Sequence, residues 1–191
     1  MMRTLLLALL GTALVAGAAQ ATEKHVSVGV FGGLSVPVLQ DVDVSSFSPG
    51  DAFGPTGSQF GLRADAKVIP VVTLEPFFAK SSYKEDSQTF STITYTREGF
   101  DGTAFGVNAL LGRPDGAGFH FFPYVGLGKY KLDRAGQEIS EMGWNFGLGF
   151  GIAAAERFSV QIRSELTMVV TGDTSRKFGN ASVGLNYAVM P

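Results

Sequence analysis

Residues 158–170, FSVQIRSELTMVV, alternate in chemical character from one position to the next. Phe158, Val160, Ile162, Leu166, Met168 and Val170 share one parity, with Ser164 the single polar member. Ser159, Gln161, Arg163, Glu165 and Thr167 share the other. A helix would scatter both sets around its surface, whereas a strand sends successive side chains to opposite faces. The same period recurs along the chain. In 180–189, NASVGLNYAV, Ala181, Val183, Leu185, Tyr187 and Val189 oppose Asn180, Ser182, Gly184 and Asn186. In 59–68, QFGLRADAKV, Phe60, Leu62, Ala64, Ala66 and Val68 oppose Gln59, Gly61, Arg63, Asp65 and Lys67.

Eight segments carry the pattern: 25–36, 58–69, 71–82, 100–112, 119–131, 142–153, 157–170 and 177–189. Each is as long as the ~9–11 residues that a tilted strand needs to cross a bilayer. Their connections alternate. Ile69-Pro70, residues 113–118 and Ala154-Ala155-Glu156 are tight; 39–58 and 81–100 are long and polar; 133–140 and 171–177 are intermediate. Short turns at one end and longer loops at the other are the layout of an outer-membrane barrel with both termini in the periplasm. Alternation inside the second long loop (Phe90, Thr92 and Thr94 against Ser91, Ile93 and Tyr95) predicts a hairpin projecting above the membrane.

A soluble barrel would turn its apolar face inward and its polar face to water. The polar faces of the first, fourth, sixth and eighth segments are mostly Gly, Ser, Asn and Ala, too poor in charge for a solvated surface. Charge gathers instead at Arg63, Asp65, Lys67, Glu75, Arg163 and Glu165. The interior of an eight-stranded barrel is just wide enough for side chains to fill it. Long ionic side chains from a few strands can occupy it if the others contribute small residues. Arg63, Asp65, Glu75, Arg163 and Glu165 are therefore expected to form an ion network in the lumen, since buried charges must pair. By the same reasoning Gly147, Gly149 and Gly151 leave room for arginines and glutamates, while Trp144, Phe146, Leu148, Phe150 and Ile152 face lipid. Phe31, Phe77 and Leu110 are the large apolar residues placed inward. Trp144, Phe158, Phe178 and Tyr187 fall near strand ends, where aromatic girdles sit.

The chain opens MMRTLLLALLGTALVAGAAQATEK. Arg3 supplies a basic n-region, Leu5–Val15 an apolar h-region and Ala19-Gln20-Ala21 a small-x-small cleavage site, so 1–21 is expected to be a secretory signal peptide and 22–191 the barrel domain. Losing Arg3 with that leader takes the formal charge from −2 to −3, which argues against a nucleic-acid partner. There is no cysteine, hence no disulfide, thiolate nucleophile or thiolate metal site.

Two stretches resemble the small eight-stranded outer-membrane β-barrel family, the relatives of the transmembrane domain of outer membrane protein A and of OmpX. PYVGLGKY (123–130) is similar to the family's Pro-aromatic-x-Gly-x-Gly strand, with Val125 and Leu127 toward lipid and Tyr124, Gly126 and Gly128 toward the lumen. SVGLNYAV (182–189) resembles the signal read by the barrel-assembly machinery, carried by Ser182, Gly184, Tyr187 and Val189; Met190 and Pro191 follow where an aromatic residue often ends the chain. The resemblance implies an all-β, eight-stranded, antiparallel, up-and-down transmembrane barrel, monomeric, in contact with outer-membrane lipid and lipopolysaccharide.

Competing chemistry finds little support. The glycines of 126–128 and 147–151 do not match dinucleotide or phosphate-loop spacing, and no helix follows them. The two histidines are His25 and His120. His25-x-Ser27 has the form of a lipid-modifying hydrolase element, but no acid is evident to orient it, and His25 reads as a solvated rim residue. Neither a metal nor a cofactor is expected. The lumen network has two readings, a structural plug that sets register or a gate that opens a narrow conductance. The favoured function is a non-enzymatic outer-membrane barrel that serves envelope integrity or surface interaction through 39–58 and 81–100. A narrow channel or carrier for small or apolar solutes is the alternative, and a lipid A-modifying enzyme the third.

Overall fold

The computed structural model describes residues 25–38, 56–90, 93–97, 99–112, 118–134, 136–171 and 174–190. The expected leader 1–21, most of the loop 39–58 and the turn 113–117 lie outside them. Among the described residues no helix is long and apolar enough to cross a membrane. The described residues form ten strands: β1 Val26–Val38, β2 Gly57–Ile69, β3 Val72–Tyr83, β4 Asp86–Phe90, β5 Ile93–Arg97, β6 Phe100–Leu111, β7 Phe119–Arg134, β8 Gln137–Ala155, β9 Phe158–Thr171 and β10 Thr174–Met190. Eight of them close in the order β1-β10-β9-β8-β7-β6-β3-β2, every pairing antiparallel. Closure leaves the barrel no free sheet edge. Strands β4 and β5 pair with each other as the hairpin expected between the third and fourth barrel strands.

The intermediate connections are corrected. β7 runs on to Arg134 and β8 starts at Gln137, while β9 ends at Thr171 and β10 starts at Thr174. Both hairpins thus continue as paired ribbons beyond the expected strand ends. Gly136, at φ 82°, makes the first turn, and its N–H reaches Asp133 Oδ1 at 3.2 Å.

Register fixes the shape. A path through paired residues from Val26 visits Ala66, Leu74, Ala109, Val125, Phe146, Leu166 and Gly179, and returns to β1 at Val36, ten residues along. Eight strands about 4.8 Å apart, with a stagger of ten residues at about 3.3 Å each, tilt by about 40° around a radius of about 8 Å. Each residue along a strand then climbs about 2.5 Å, and each step to the next strand about 3 Å.

The faces are inverted relative to a water-soluble protein. Among the described residues, 29 large hydrophobic side chains are exposed, while 14 polar or charged ones are buried. Trp144, Phe146, Leu148, Phe150 and Ile152 all point outward, as do Val125 and Leu127. Stacked by the heights above, the outward apolar surface from Phe119 to Trp144 is about 23 Å tall, close to the ~25 Å band of an outer-membrane barrel. Phe60, Phe78, Phe105 and Trp144 mark its upper rim. Its lower rim carries Phe119, Phe121 and Phe150 in ring contact, and Phe158 against Tyr187 at 5.1 Å.

Phe178 is not in a girdle. It is 4 % exposed and sits inside with Tyr83, Tyr130, Leu132 and Val169 at the loop end. Its even parity, shared with Asn180 and Ser182, is what turns it inward. Leu110, Phe122 and Tyr124 form a second internal cluster nearer the termini. Large inward apolar residues are therefore more numerous than Phe31, Phe77 and Leu110.

Candidate functional site

The lumen holds one continuous web of side chains, and glycines decide where its bulky members fit. Phe31, Phe77, Phe122 and Tyr124 lie directly across from Gly61, Gly106, Gly149 and Gly147. A Cβ at Gly149 would overlap the Phe122 ring, and one at Gly147 would overlap Tyr124. These glycines leave room for the rings of the adjacent strand, not for distant arginines and glutamates. Gly184 alone among the assembly-signal residues makes space for a charge: its missing side chain admits the Arg63 guanidinium. The rings in turn carry the cations. Arg63 lies over Phe31 at 5.5 Å, and Arg163 over Phe122 and Tyr124 at 5.1 and 5.2 Å, distances at which a cation is attracted to the ring face.

Glu75 is the hub at mid-height. It is 1 % exposed, accepts two hydrogen bonds from Arg163 (Nη1 2.6 Å, Nη2 2.5 Å) and one from Asn108 (2.8 Å), and has Arg63 Nε at 3.9 Å. Arg163 also donates to Gln161 Oε1 at 3.1 and 2.7 Å. Toward the termini, Arg63 Nε donates to Asn186 Oδ1 (3.1 Å), Asn186 Nδ2 to Asp65 Oδ2 (3.1 Å), and Ser27 Oγ to the same oxygen (2.9 Å). Toward the loops, Asn145 links Asn108 (2.7 Å) to Glu165 (3.1 Å). Glu165 also accepts from Tyr124 (3.2 Å), Thr167 (2.9 Å) and Asn180 (3.1 Å). Ser35 bridges Asn180 and the Tyr83 hydroxyl at 2.5 and 2.6 Å.

The structure thus places Arg63, Asp65, Glu75, Arg163 and Glu165 on the inner wall, joined from Ser27 to Tyr83 through amides and hydroxyls. The amides were not foreseen. Asn108, Asn145, Asn180 and Asn186 share the inward parity of the charges, which was the available signal; an amide carries two donor hydrogens and an acceptor oxygen, and each of these four bonds across to another strand. Above the web, Tyr83 stacks on Phe100 at 4.1 Å, and Phe178 packs against both. A cavity of about 80 Å³ lies between web and cap. That is far below the ~300–1,000 Å³ of a small-molecule site.

His25 is corrected: it is 5 % exposed, buried at the barrel's terminal end. An acid does stand beside Ser27, but the hydroxyl proton is directed at Asp65 rather than at an imidazole. That arrangement is not an activated nucleophile. Among the described residues no group of three or more His, Asp or Glu side chains could hold a metal. Of the assembly-signal residues, Ser182 and Gly184 face the lumen, and Tyr187 and Val189 face outward.

Residues 5–188 match the family model described as the outer membrane protein beta-barrel domain. The chain belongs to that family. As an outer-membrane barrel it is an integral protein of the Gram-negative outer membrane, and its exposed apolar wall is its lipid-facing surface. Its fold is similar to that of Neisserial surface protein A, with a TM-score of 0.61 at 11 % identity over 85 % of this chain and 96 % of that one. It is also similar to Ail, the attachment invasion locus protein of Yersinia pestis (TM-score 0.51, 15 % identity, 87 % and 99 % covered). The N-terminal barrel domain of Pseudomonas aeruginosa OprF gives 0.51 at 14 % identity, with 86 % and 98 % covered. A comparison with curated protein sequences finds no match.

Proposed function

We propose that this outer-membrane barrel is a non-enzymatic, closed barrel. On this reading it contributes to envelope integrity or to cell-surface interaction through its loop end, with residues 39–58 and 81–100 as the contact-making segments. The observation that carries the closed lumen is the unbroken web from Ser27 to Tyr83, centred on Glu75 between Arg163 and Arg63. A solute would have to break several charge-assisted hydrogen bonds in a low-dielectric interior, each among the stronger kinds a protein makes. The small cavity above the web supports the same reading against a carrier.

Planar-bilayer recording tests the closed state. Wild-type protein and Arg163→Ala are both expected to give no single-channel events. Discrete openings in wild type, altered in Arg163→Ala, would replace the plug by a gate. The envelope role is tested by deleting the gene and measuring sensitivity to detergent and large antibiotics. Sensitivity should rise, and return to normal with the full-length chain. If a chain shortened in both loops restores the barrier as well, envelope support belongs to the barrel, and surface interaction alone remains to the loops.

A further inference from the structure

The barrel wall is interrupted at a depth where an interruption is costly. β2 and β3 pair from Ser58↔Ser82 to Arg63↔Phe77 and again from Ala66↔Leu74, but not at Ala64 and Asp65, which stand opposite Pro76 and Glu75. The cause is Pro76. Opposed residues of an antiparallel pair alternate between exchanging two hydrogen bonds and exchanging none. A break confined to these two positions puts Ala64 and Pro76 at an exchanging one. Proline has no N–H to give, so the Ala64 carbonyl lacks the donor that the ladder would supply. On its other side Pro76 disturbs nothing, and pairing with β6 runs unbroken through Pro76↔Val107. Within sheets proline is confined to edges and bulges. A closed barrel has no edge, and the bulge of this ladder lies lower, between Lys67 and Ile69.

By the heights derived above, Ala64 and Pro76 stand within about 2 Å of the mid-plane of the apolar band. Water does not reach that depth, and an unmet backbone group in hydrocarbon is expensive. Over the break lies an open hollow of about 680 Å³, walled by Val28, Val30, Leu62 and Phe78 with Ala64 and Pro76 between them. The four walls are exposed, and Ala64 only partly so. The volume falls within the ~300–1,000 Å³ of small-molecule sites. We propose that this hollow is a lateral binding site, entered from the bilayer, for a neutral apolar molecule bearing one hydroxyl. The hydroxyl donates to the Ala64 carbonyl oxygen in place of the N–H that Pro76 lacks, and the apolar body lies against Val28, Val30, Leu62 and Phe78. An unmet acceptor selects a donor over an ether or an ester. The depth rejects a charged ligand, because charge at the bilayer centre is costly. A plain acyl chain fills the hollow but leaves the carbonyl unmet. The site lies outside the barrel, so it leaves the lumen closed and is independent of any role for the loops.

The test uses the full protein in phosphatidylcholine nanodiscs, with binding measured against empty nanodiscs. The probes are para-hexylphenol and its methyl ether, which has the same body and no donor. A net protein hydrogen bond converts to roughly three- to ten-fold in affinity, and wild type should prefer the phenol by that factor. The phenol alone should move the carbonyl carbon NMR resonance of Ala64. Pro76→Val supplies the missing N–H, so it should bind phenol and ether alike and show no such movement. Ala64→Leu occupies the hollow and should weaken both probes. Pro123→Val is the control, since Pro123 lies beyond the last β6–β7 pair, Leu110↔Tyr124, and interrupts no run of pairing. It should keep the wild-type preference. Equal affinity for phenol and ether in wild type overturns the proposal. So does a preference that survives in Pro76→Val or is lost equally in Pro123→Val, and so does undiminished binding in Ala64→Leu. A heat-dependent gel shift confirms that each variant is folded.

Discussion

Glu75→Gln isolates the charge at the centre of the lumen while keeping the side chain's shape. In wild type this carboxylate accepts three hydrogen bonds, from Arg163 twice and from Asn108, and lies 3.9 Å from Arg63. With its charge removed, two guanidiniums, 5 % and 6 % exposed, remain on either side of a neutral amide. Asp65 remains linked to Arg63 through Asn186, and Arg163 keeps its hydrogen bonds to neutral Gln161. Breaking a buried pair by removing one partner costs about 3–5 kcal/mol. The intact pair need not stabilise by that much, because desolvation offsets most of its attraction. Glu75→Leu with Arg163→Met should therefore recover at least half of the loss. Urea titration in lipid vesicles, read by the heat-dependent gel shift, measures both variants. A Glu75→Gln loss under about 1 kcal/mol, or a double variant no better than the single, would refute the hub.

Gly149→Leu should destabilise by about 1–3 kcal/mol, because the new side chain occupies the space of the Phe122 ring. Adding Phe122→Ala should restore most of it in the same titration, and no recovery would mean that the pair is not coupled. Ile162→Arg, outward near mid-height, should cost about 2–4 kcal/mol in a bilayer, and Met142→Arg, above the aromatic rim, about 0–1 kcal/mol. Equal costs at the two depths would contradict the placement of the membrane band.

Strand positions and faces were legible because each barrel strand separates two solvents of opposite character, lipid and a polar lumen, so parity carries the signal. The ribbons beyond Lys131 and before Met142 were not, because above the bilayer both faces meet water and the alternation fades: Asp133, Arg134, Gln137 and Glu138 are all exposed. The charged members of the web were legible by parity, but their connections were not. That Phe122 fills the space over Gly149, or that Gly184 admits Arg63, depends on which residues stand across from one another, and register is set by closure of the barrel with its ten-residue stagger. The burial of His25 escaped for a related reason. It precedes the first strand, where position in the chain resembles a rim, yet its odd parity with Ser27 turns it inward.

The central claim is that the apolar wall faces lipid and the web faces the lumen. Trp144 is the only tryptophan in the chain, points outward at 52 % exposure and lies at the upper rim, about 11 Å from the mid-plane of the apolar band. Its fluorescence in vesicles of bromine-labelled lipid reads that position without any labelling of the protein. Strong quenching by bromines placed near the headgroup end of the acyl chains, weaker quenching by bromines near the chain ends and little by aqueous iodide are the expected results. Full quenching by iodide, with none from brominated lipid at any depth, would contradict it.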